Sequence, residues 1–361
     1  MTPSVNLFDL NQSAMREYFA NIAEKPFRAT QLMKWVYHQG ITDFDDMTNL
    51  SKQLRAELSA CAHYSLPEIT SEQVSEDGTR KWLMQVDAGN AVETVFIPEV
   101  DRGTLCISSQ VGCALNCTFC ATGKQGYNRN LSVAEIIGQL WQANKQLGYF
   151  RDRSRIISNV VMMGMGEPLL NFDNVLQAME LMTDDLAFGL SGKRVTLSTA
   201  GVVPGIYKLA DQGKVTLAVS LHAANDALRD SLVPINRSFP IAELLAACRY
   251  HSEKRNGDAV TFEYVMLDGV NDSDSDANDL VKLLRTLPAK VNLIPFNSFP
   301  GCDYVCSPRQ RIDQFRDILL AANIVTVTRK TRGDDINAAC GQLAGQVTAR
   351  AGRHEKSVGI R

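Results

Sequence analysis

From residue 104 to residue 328 short apolar runs alternate with helical stretches, and this alternation limits the possible folds more than any other feature of the chain. Runs at 104–111, 158–163, 194–198, 215–221, 259–266 and 290–296 each lead into a helical pattern, at 132–147, 172–183, 203–211, 241–253, 274–287 and 308–322. A seventh run at 324–328 closes the series. Strands joined through helices run parallel and wind right-handedly, which leaves an open doubly wound sheet or a full or partial barrel. Polar or glycine-rich residues follow the strands repeatedly, at 113–120, 164–168, 198–201, 220–222 and Asn297. A barrel gathers all of these on one C-terminal face, whereas an open sheet unites only those beside its crevice. The repetition favours the barrel.

Ahead of this region, residues 13–61 carry short amphipathic helical patterns punctuated by Pro26, Gly40 and the cap signal Asn49-Leu50-Ser51. Alternating patterns at 81–86 and 91–97 flank Ala88-Gly89-Asn90 as a hairpin. The expected organisation is a helical accessory domain over 1–75, a connecting β-hairpin over 76–98, the α/β barrel over 99–335, and a C-terminal segment over 336–361 with Cys340 and a basic tail. A length of 361 residues with 45% hydrophobic content suits one large core and a small satellite. The net charge of −3 excludes a uniform basic field, and the first hundred residues hold 14 acidic against 8 basic side chains, so any polyanion must meet a local patch. Asp9, Arg16, Glu17, Glu24 and Lys25 interrupt the first thirty residues, and no run approaches eighteen apolar residues, so no export signal or membrane span is expected. A reducing cytoplasm is the expected setting, where thiols serve as ligands or reactive groups more often than as crosslinks.

Three of the nine cysteines crowd into eight residues as Cys113-Ala-Leu-Asn-Cys117-Thr-Phe-Cys120. Three thiolates so close hold soft metal; on a four-iron cluster they leave one iron open for chemistry. The alternatives are a three-thiol zinc site completed by a histidine, His222 for instance, or chance crowding. Met163-Gly164-Met165-Gly166-Glu167-Pro168 lacks the third glycine of a dinucleotide fingerprint, but its glycines permit close backbone approach and Glu167 can accept from an ammonium; a plain strand-to-helix turn is the bland alternative. Ser198, Ser220, His222 and Asn297 are singly no more than turn or cap residues. Cys61 and Cys248 lie in helical patterns as core thiols, the Cys302–Cys306 pair reads as chance, and spacing alone does not pair Cys106 with Cys340. Glu93 reads as an outward-facing strand carboxylate.

The CxxxCxxC loop, with Phe119 between its last two cysteines, resembles the signature of the radical S-adenosylmethionine (SAM) superfamily. Residues 106–123, 164–168, Ser220-Leu221-His222 and 329–345, including Arg332-Gly333-Asp334-Asp335 and Ala338-Ala339-Cys340-Gly341-Gln342-Leu343, resemble the RlmN family of RNA adenine-C2 methyltransferases over nearly the whole chain. The resemblance implies a partial (β/α)6 barrel and a 4Fe-4S cluster on Cys113, Cys117 and Cys120. It implies S-adenosyl-L-methionine held by Gly166, Glu167, Ser198, Ser220, Leu221, His222 and Asn297.

It further implies that a first SAM methylates Cys340 and that a second, cleaved at the cluster, gives a deoxyadenosyl radical that activates this S-methyl group for addition to C2. Cys106 then attacks the Cys340 sulfur, forming a disulfide bond and releasing the product, with Glu93 removing the proton. The implied substrates are 23S rRNA and tRNA, at the adenosine following the anticodon. The implied partners also include an unidentified reductant, and the chain is expected to be monomeric. Reaching C2 means taking the base out of its stack, at a cost of a few kcal/mol. Arg329, Lys330, Arg332 and the tail residues Arg350, Arg353, Lys356 and Arg361 are candidate phosphate contacts. A C8-specific, Cfr-like rRNA methyltransferase and another radical SAM enzyme remain the alternative activities, and a zinc-stabilised binding module the non-catalytic one.

Overall fold

Ten strands lie side by side in sequence order, without a crossover between neighbours, in a computed structural model that describes residues 4–152 and 154–347. They are β1 (Glu68–Val74), β2 (Arg80–Asp87), β3 (Asn90–Pro98), β4 (Gly103–Cys106), β5 (Asn159–Met162), β6 (Val195–Thr199), β7 (Thr216–Ser220), β8 (Val260–Met266), β9 (Ala289–Pro295) and β10 (Val325–Thr328). Strands β1 to β4 pair antiparallel, as hairpins allow. From β4 to β10 every pairing is parallel. The two edge strands, β1 and β10, do not pair with one another, so the sheet is a partial barrel.

The accessory region contributes helices α1 (Gln12–Asn21), α2 (Phe27–Met33) and α3 (Lys52–Cys61). Between the parallel strands run α4 (Val133–Gln146), α5 (Phe172–Thr183), α6 (Val203–Gln212), α7 (Ile241–Lys254), α8 (Asp274–Leu284) and α9 (Arg309–Ala321). Their starts are written in the sequence: Ser132 with Glu135 and Ser273 with Asp276 form capping boxes that satisfy the first free N–H groups of α4 and α8. The apolar runs between them are buried strands, as continuous hydrophobic stretches in a parallel sheet must be.

Two stretches depart from expectation. Residues 68–74, placed in the helical domain by the 1–75 boundary, form a sheet strand instead; Glu68, Thr70, Ser71, Glu72 and Gln73 leave no apolar face to show a period. The run at 104–111 divides: β4 ends at Cys106, and Gln110–Gly112 pairs with Tyr127–Asn130 in a separate two-stranded ribbon. That ribbon is the stem of the three-cysteine loop.

Beyond β10 the chain returns across the open side of the barrel as a strap. Gly333 N donates to Asp77 Oδ2, Ser75 Oγ to Asp335 Oδ1, Lys81 Nζ to Asn337 O, and Ala91 N to Gln346 O. Sequence patterns give this segment no regular element, yet it fills the gap between β10 and the hairpin.

Candidate active site

Cys113, Cys117 and Cys120 line an open cavity of about 930 Å³ at the C-terminal ends of the parallel strands. Burial pushes the thiols of Cys113 and Cys117 up, Cys113 to about 12, and the neighbouring cysteines push in the same direction. Thiols so reluctant to ionise alone suit a cationic centre that shares their charge. Among the described residues no three His, Cys, Asp or Glu side chains converge as a single-ion site requires. The cysteines of an iron–sulfur cluster instead stand on different irons. His222 does not complete a zinc site. Its Nδ1 accepts from Val265 N at 3.0 Å, so Nε2 carries the proton, and burial holds the ring neutral with a pKa near 3.

The remaining wall offers places for SAM. Gly166 has φ +98°, and a Cβ there would lie 2.5 Å from the Gln110 Cβ, so only glycine brings this backbone to the cavity. Glu167 Oε1 accepts from Leu169 N at 3.1 Å and Oε2 from Ala200 N at 2.8 Å, a clasp between the ends of β5 and β6. Burial holds its carboxyl up at about 7 despite those bonds, and an ammonium beside it would restore the charged form. Ser198 and Ser220 line the same wall at the ends of β6 and β7. His222 adopts φ +60°, a left-handed conformation costing about 1–2 kcal/mol outside glycine. It is held by its N–H to Glu263 O and by Asn271 Nδ2 to its own carbonyl, with its ring edge-on to Phe119 at 4.6 Å. Leu221 is fully buried and lines neither cavity, its N–H donating to Glu263 O at 3.0 Å.

A second cavity of about 480 Å³ adjoins the first, and Met163, Ile294, Arg329 and Cys340 line both. Cys106 and Cys340 meet in this second space, walled by Val95, Ile97 and Leu343. Asn297 also lines it, donating from Nδ2 to Cys340 O at 3.3 Å. Cys106 sits at the end of β4, in register with Val95 and Val161, and is buried rather than set on an open face. Burial pushes its thiol up to about 12, the Cys340 charge adds to that, and Arg329 opposes it. The expected disulfide bond is absent: all nine cysteines are free, and Cys106 and Cys340 stand as two thiols around one guanidinium.

Arg329 is therefore a site residue and not the phosphate contact that its basic neighbours suggested. Its own pKa is raised chiefly by Cys340, then by Glu263 and Cys106. Arg332 is engaged with Asp77 at 3.6 Å, while Lys330 is exposed at the mouth. Arg350, Arg353, Lys356 and Arg361 lie outside the described residues.

The structure does not bring Glu93 to either cavity. Its carboxylate is buried in a neighbouring recess, paired with Lys81 Nζ at 3.0 Å and accepting from Ala344 N at 2.7 Å. Glu93 thus anchors the strap just beyond Cys340. The strap's other bonds reach the three-cysteine loop: Ala121 N to Gly341 O, Thr122 Oγ1 to Leu343 O and Gln125 Nε2 to Gly345 O, at 2.8, 2.6 and 2.9 Å.

Three charged residues at or behind the cavity wall were not marked as such by the sequence. Glu263 lies mid-strand in an apolar run, buried against Asn292 Nδ2 and facing the cavity. Arg329 stands just past β10, and Arg229 lies on a short helix, Asp226–Leu232, that periodicity did not single out. An isolated charge inside an apolar strand was the one available hint, and only for Glu263.

Comparison with known proteins agrees with this geometry. Residues 5–63 match the ribosomal RNA large subunit methyltransferase N-terminal domain, and residues 107–281 the radical SAM superfamily. A radical SAM methyltransferase from Sphaerobacter thermophilus is 43% identical over 94% of this chain and 99% of its own, with a TM-score of 0.87. More distant are SuiB from Streptococcus suis, solved with S-adenosylmethionine, and a domain of a pyruvate-formate lyase-activating enzyme from Bacteroides vulgatus. SuiB is 17% identical over 63% of this chain and 47% of its own, TM-score 0.42. The activating-enzyme domain is 16% identical over 48% and 99%, TM-score 0.37.

Proposed function

The chain belongs to the RlmN-type radical SAM methyltransferases, enzymes that methylate ribosomal RNA with a 4Fe-4S cluster and SAM, and we propose that its target is C2 of adenosine in 23S rRNA and in tRNA beside the anticodon. Adenine C2 is electron-poor and does not attack a sulfonium methyl, so polar transfer alone cannot reach it. When bound, the cluster and SAM supply a hydrogen-abstracting radical at the first cavity. The protein's own part is to hold the methyl group to be activated, and the observation that carries the reading is that Cys340 lines both cavities while Cys106 lines the second.

In this reading Cys340 accepts a methyl group at sulfur, with Arg329 favouring its thiolate, and presents it toward the cluster side. The target base occupies the second cavity, against Val95, Ile97 and Ile294 and beside Arg329. Once the adduct has given up one electron and the C2 proton, attack of the Cys106 thiolate on the Cys340 sulfur forms an S–S bond and breaks the S–CH2 bond, and the methylene carbon takes up a proton and leaves as the methyl group of the product. Gly166, Glu167, Ser198, Ser220, Leu221, His222 and Asn297 are assigned to SAM, Cys113, Cys117 and Cys120 to the cluster, and Glu93 to proton removal. Its present bonds to Lys81 and Ala344 require a movement of the strap for that last role. The enzyme is taken to act as a monomer in the cytoplasm, with a separate one-electron reductant.

Cysteine replacement tests the assignment. Cys340→Ala is expected to abolish RNA methylation, and Cys106→Ala to accumulate a covalent protein–RNA adduct visible as a retarded band on a denaturing gel. Undiminished methylation by Cys340→Ala overturns the reading.

A further inference from the structure

Arg229 is fully buried, and its charge is not neutralised in place. Among the described residues its hydrogen bonds go to carbonyl oxygens and one side-chain amide: Ala200 O at 2.7 Å, Ser220 O at 3.0 Å, Leu221 O at 3.1 Å and Asn236 Oδ1 at 2.8 Å. The nearest carboxylates stand one group further off. Asn236 Nδ2 donates to Asp226 Oδ1 at 2.9 Å and to Asp230 Oδ1 at 2.7 Å, so the amide spaces both acids from the guanidinium.

A buried cation without a direct counter-ion is costly, by several kcal/mol after relaxation. Burial draws the pKa of Arg229 down to about 10, which still leaves it charged at neutral pH. Carbonyl dipoles from the ends of β6 and β7 offset part of that cost. Ala200 and Ser220, whose carbonyls Arg229 binds, line the same cavity as the three cysteines, and Cys117 comes first, ahead of Asp226, Cys248 and Asp230, among the groups that favour the protonated guanidinium. The same short helix holds this loop directly: Thr118 N, between Cys117 and Cys120, donates to Leu232 O at 3.1 Å.

We propose that Arg229 is a positioning residue for the iron–sulfur cluster, fixing the helix that bonds the cluster loop against the ends of β6 and β7 and lending the cluster a buried positive charge that favours its reduced state. Reduction adds an electron to an already anionic centre, and a fixed cation in a low-dielectric interior stabilises that added charge. The inference concerns the cluster alone and stands whichever RNA atom is methylated.

The test is a redox titration of the reconstituted protein, with the cluster's reduced fraction read by electron paramagnetic resonance. Arg229→Met is expected to lower the reduced-to-oxidised ratio at a fixed potential about tenfold, a midpoint about 59 mV more negative. Arg229→Lys keeps the charge and is expected to stay within about threefold of the parent. Asp230→Asn removes a negative charge while leaving Asn236 an acceptor, and is expected to move the ratio the opposite way. A merely structural arginine would lower cluster occupancy without moving the potential of the clusters that remain. An unchanged ratio in Arg229→Met overturns the proposal. Where that variant does not fold, the comparison of Asp230→Asn with the parent decides: a raised reduced fraction supports it, and an unchanged or lowered one overturns it.

Discussion

At the scale of single residues the site depends on side chains whose surroundings oppose their ordinary behaviour. Gly166 cannot take a Cβ without displacing Gln110, whose Oε1 accepts from Glu167 N at 2.8 Å. Gly166→Ala therefore strains the backbone by about 1–3 kcal/mol and loosens the loop that carries Glu167. SAM binding measured by equilibrium dialysis is expected to weaken at least about tenfold, the equivalent of about 1.4 kcal/mol. His251, away from the cavities on α7, gives a pH prediction. Its ring is buried, neither nitrogen has a hydrogen-bond partner among the described residues, and burial lowers its pKa to about 4. An unfolded histidine takes up its proton near pH 6.5 and the folded one only near 4, so stability is complete above pH 6.5 and falls as pH drops toward 4. The loss is at most about 3 kcal/mol. Thermal melts of His251→Leu are expected to show a smaller drop across pH 6.5 to 4 than the parent; an equal drop contradicts the assignment.

At the scale of elements the strap over 329–347 does what no strand of the barrel can, bringing a cysteine across to the cluster loop and to β4. Its hold on the hairpin centres on Lys81, which pairs with Glu93 and donates to Asn337 O. Lys81→Met leaves the Glu93 carboxylate buried with no cation and is expected to cost about 3–5 kcal/mol in urea unfolding. Glu93→Gln in the same background should recover part of that, because both charges are then gone; strictly additive losses would mean the pair is not coupled. Most barrel elements were legible from apolar runs of strand length and from capping serines, as at Ser132 and Ser273, because local chemistry decides them. β1 was not legible, since an edge strand solvated on both faces carries no period. The cysteine triad and the glycines at 164 and 166 were legible because ligand spacing and close approach leave local marks. The meeting of Cys340 with Cys106 was implied by the family resemblance but not legible from spacing, because a strap without regular structure makes it. Arg329 faces groups far away in sequence, and Arg229 bonds chiefly to backbone carbonyls and mostly within nine residues of itself, which no side-chain pattern announces.

At the scale of the whole molecule the accessory region and the barrel share a core. Trp141 Nε1 on α4 donates to Val36 O, Ala134 N to Asp9 Oδ1, and Phe8 packs edge-on against Trp141 and Tyr37. Gly138 is shaped to Leu66 and Pro67, where a Cβ would lie 2.5 Å from the Pro67 Cδ. Removing residues 1–66 uncovers this apolar face, so the shortened chain is expected to aggregate, and the full chain to melt in one transition by calorimetry. Two resolved transitions would show the regions to be independent. Among the described residues no helix is long and apolar enough to cross a membrane.

With a net charge of −3 the chain has no uniform basic surface, and under the proposed function RNA is recognised by shape and by one extruded base in the cavity of Cys106 and Cys340. Nucleoside mass spectrometry tests that account most directly. Unmethylated 23S rRNA and tRNA are incubated with the reconstituted protein, SAM and a reductant, then digested. 2-Methyladenosine is expected in both RNAs. Methylation at C8, or no methylated adenosine from an enzyme whose cluster is intact and cleaves SAM, would contradict it.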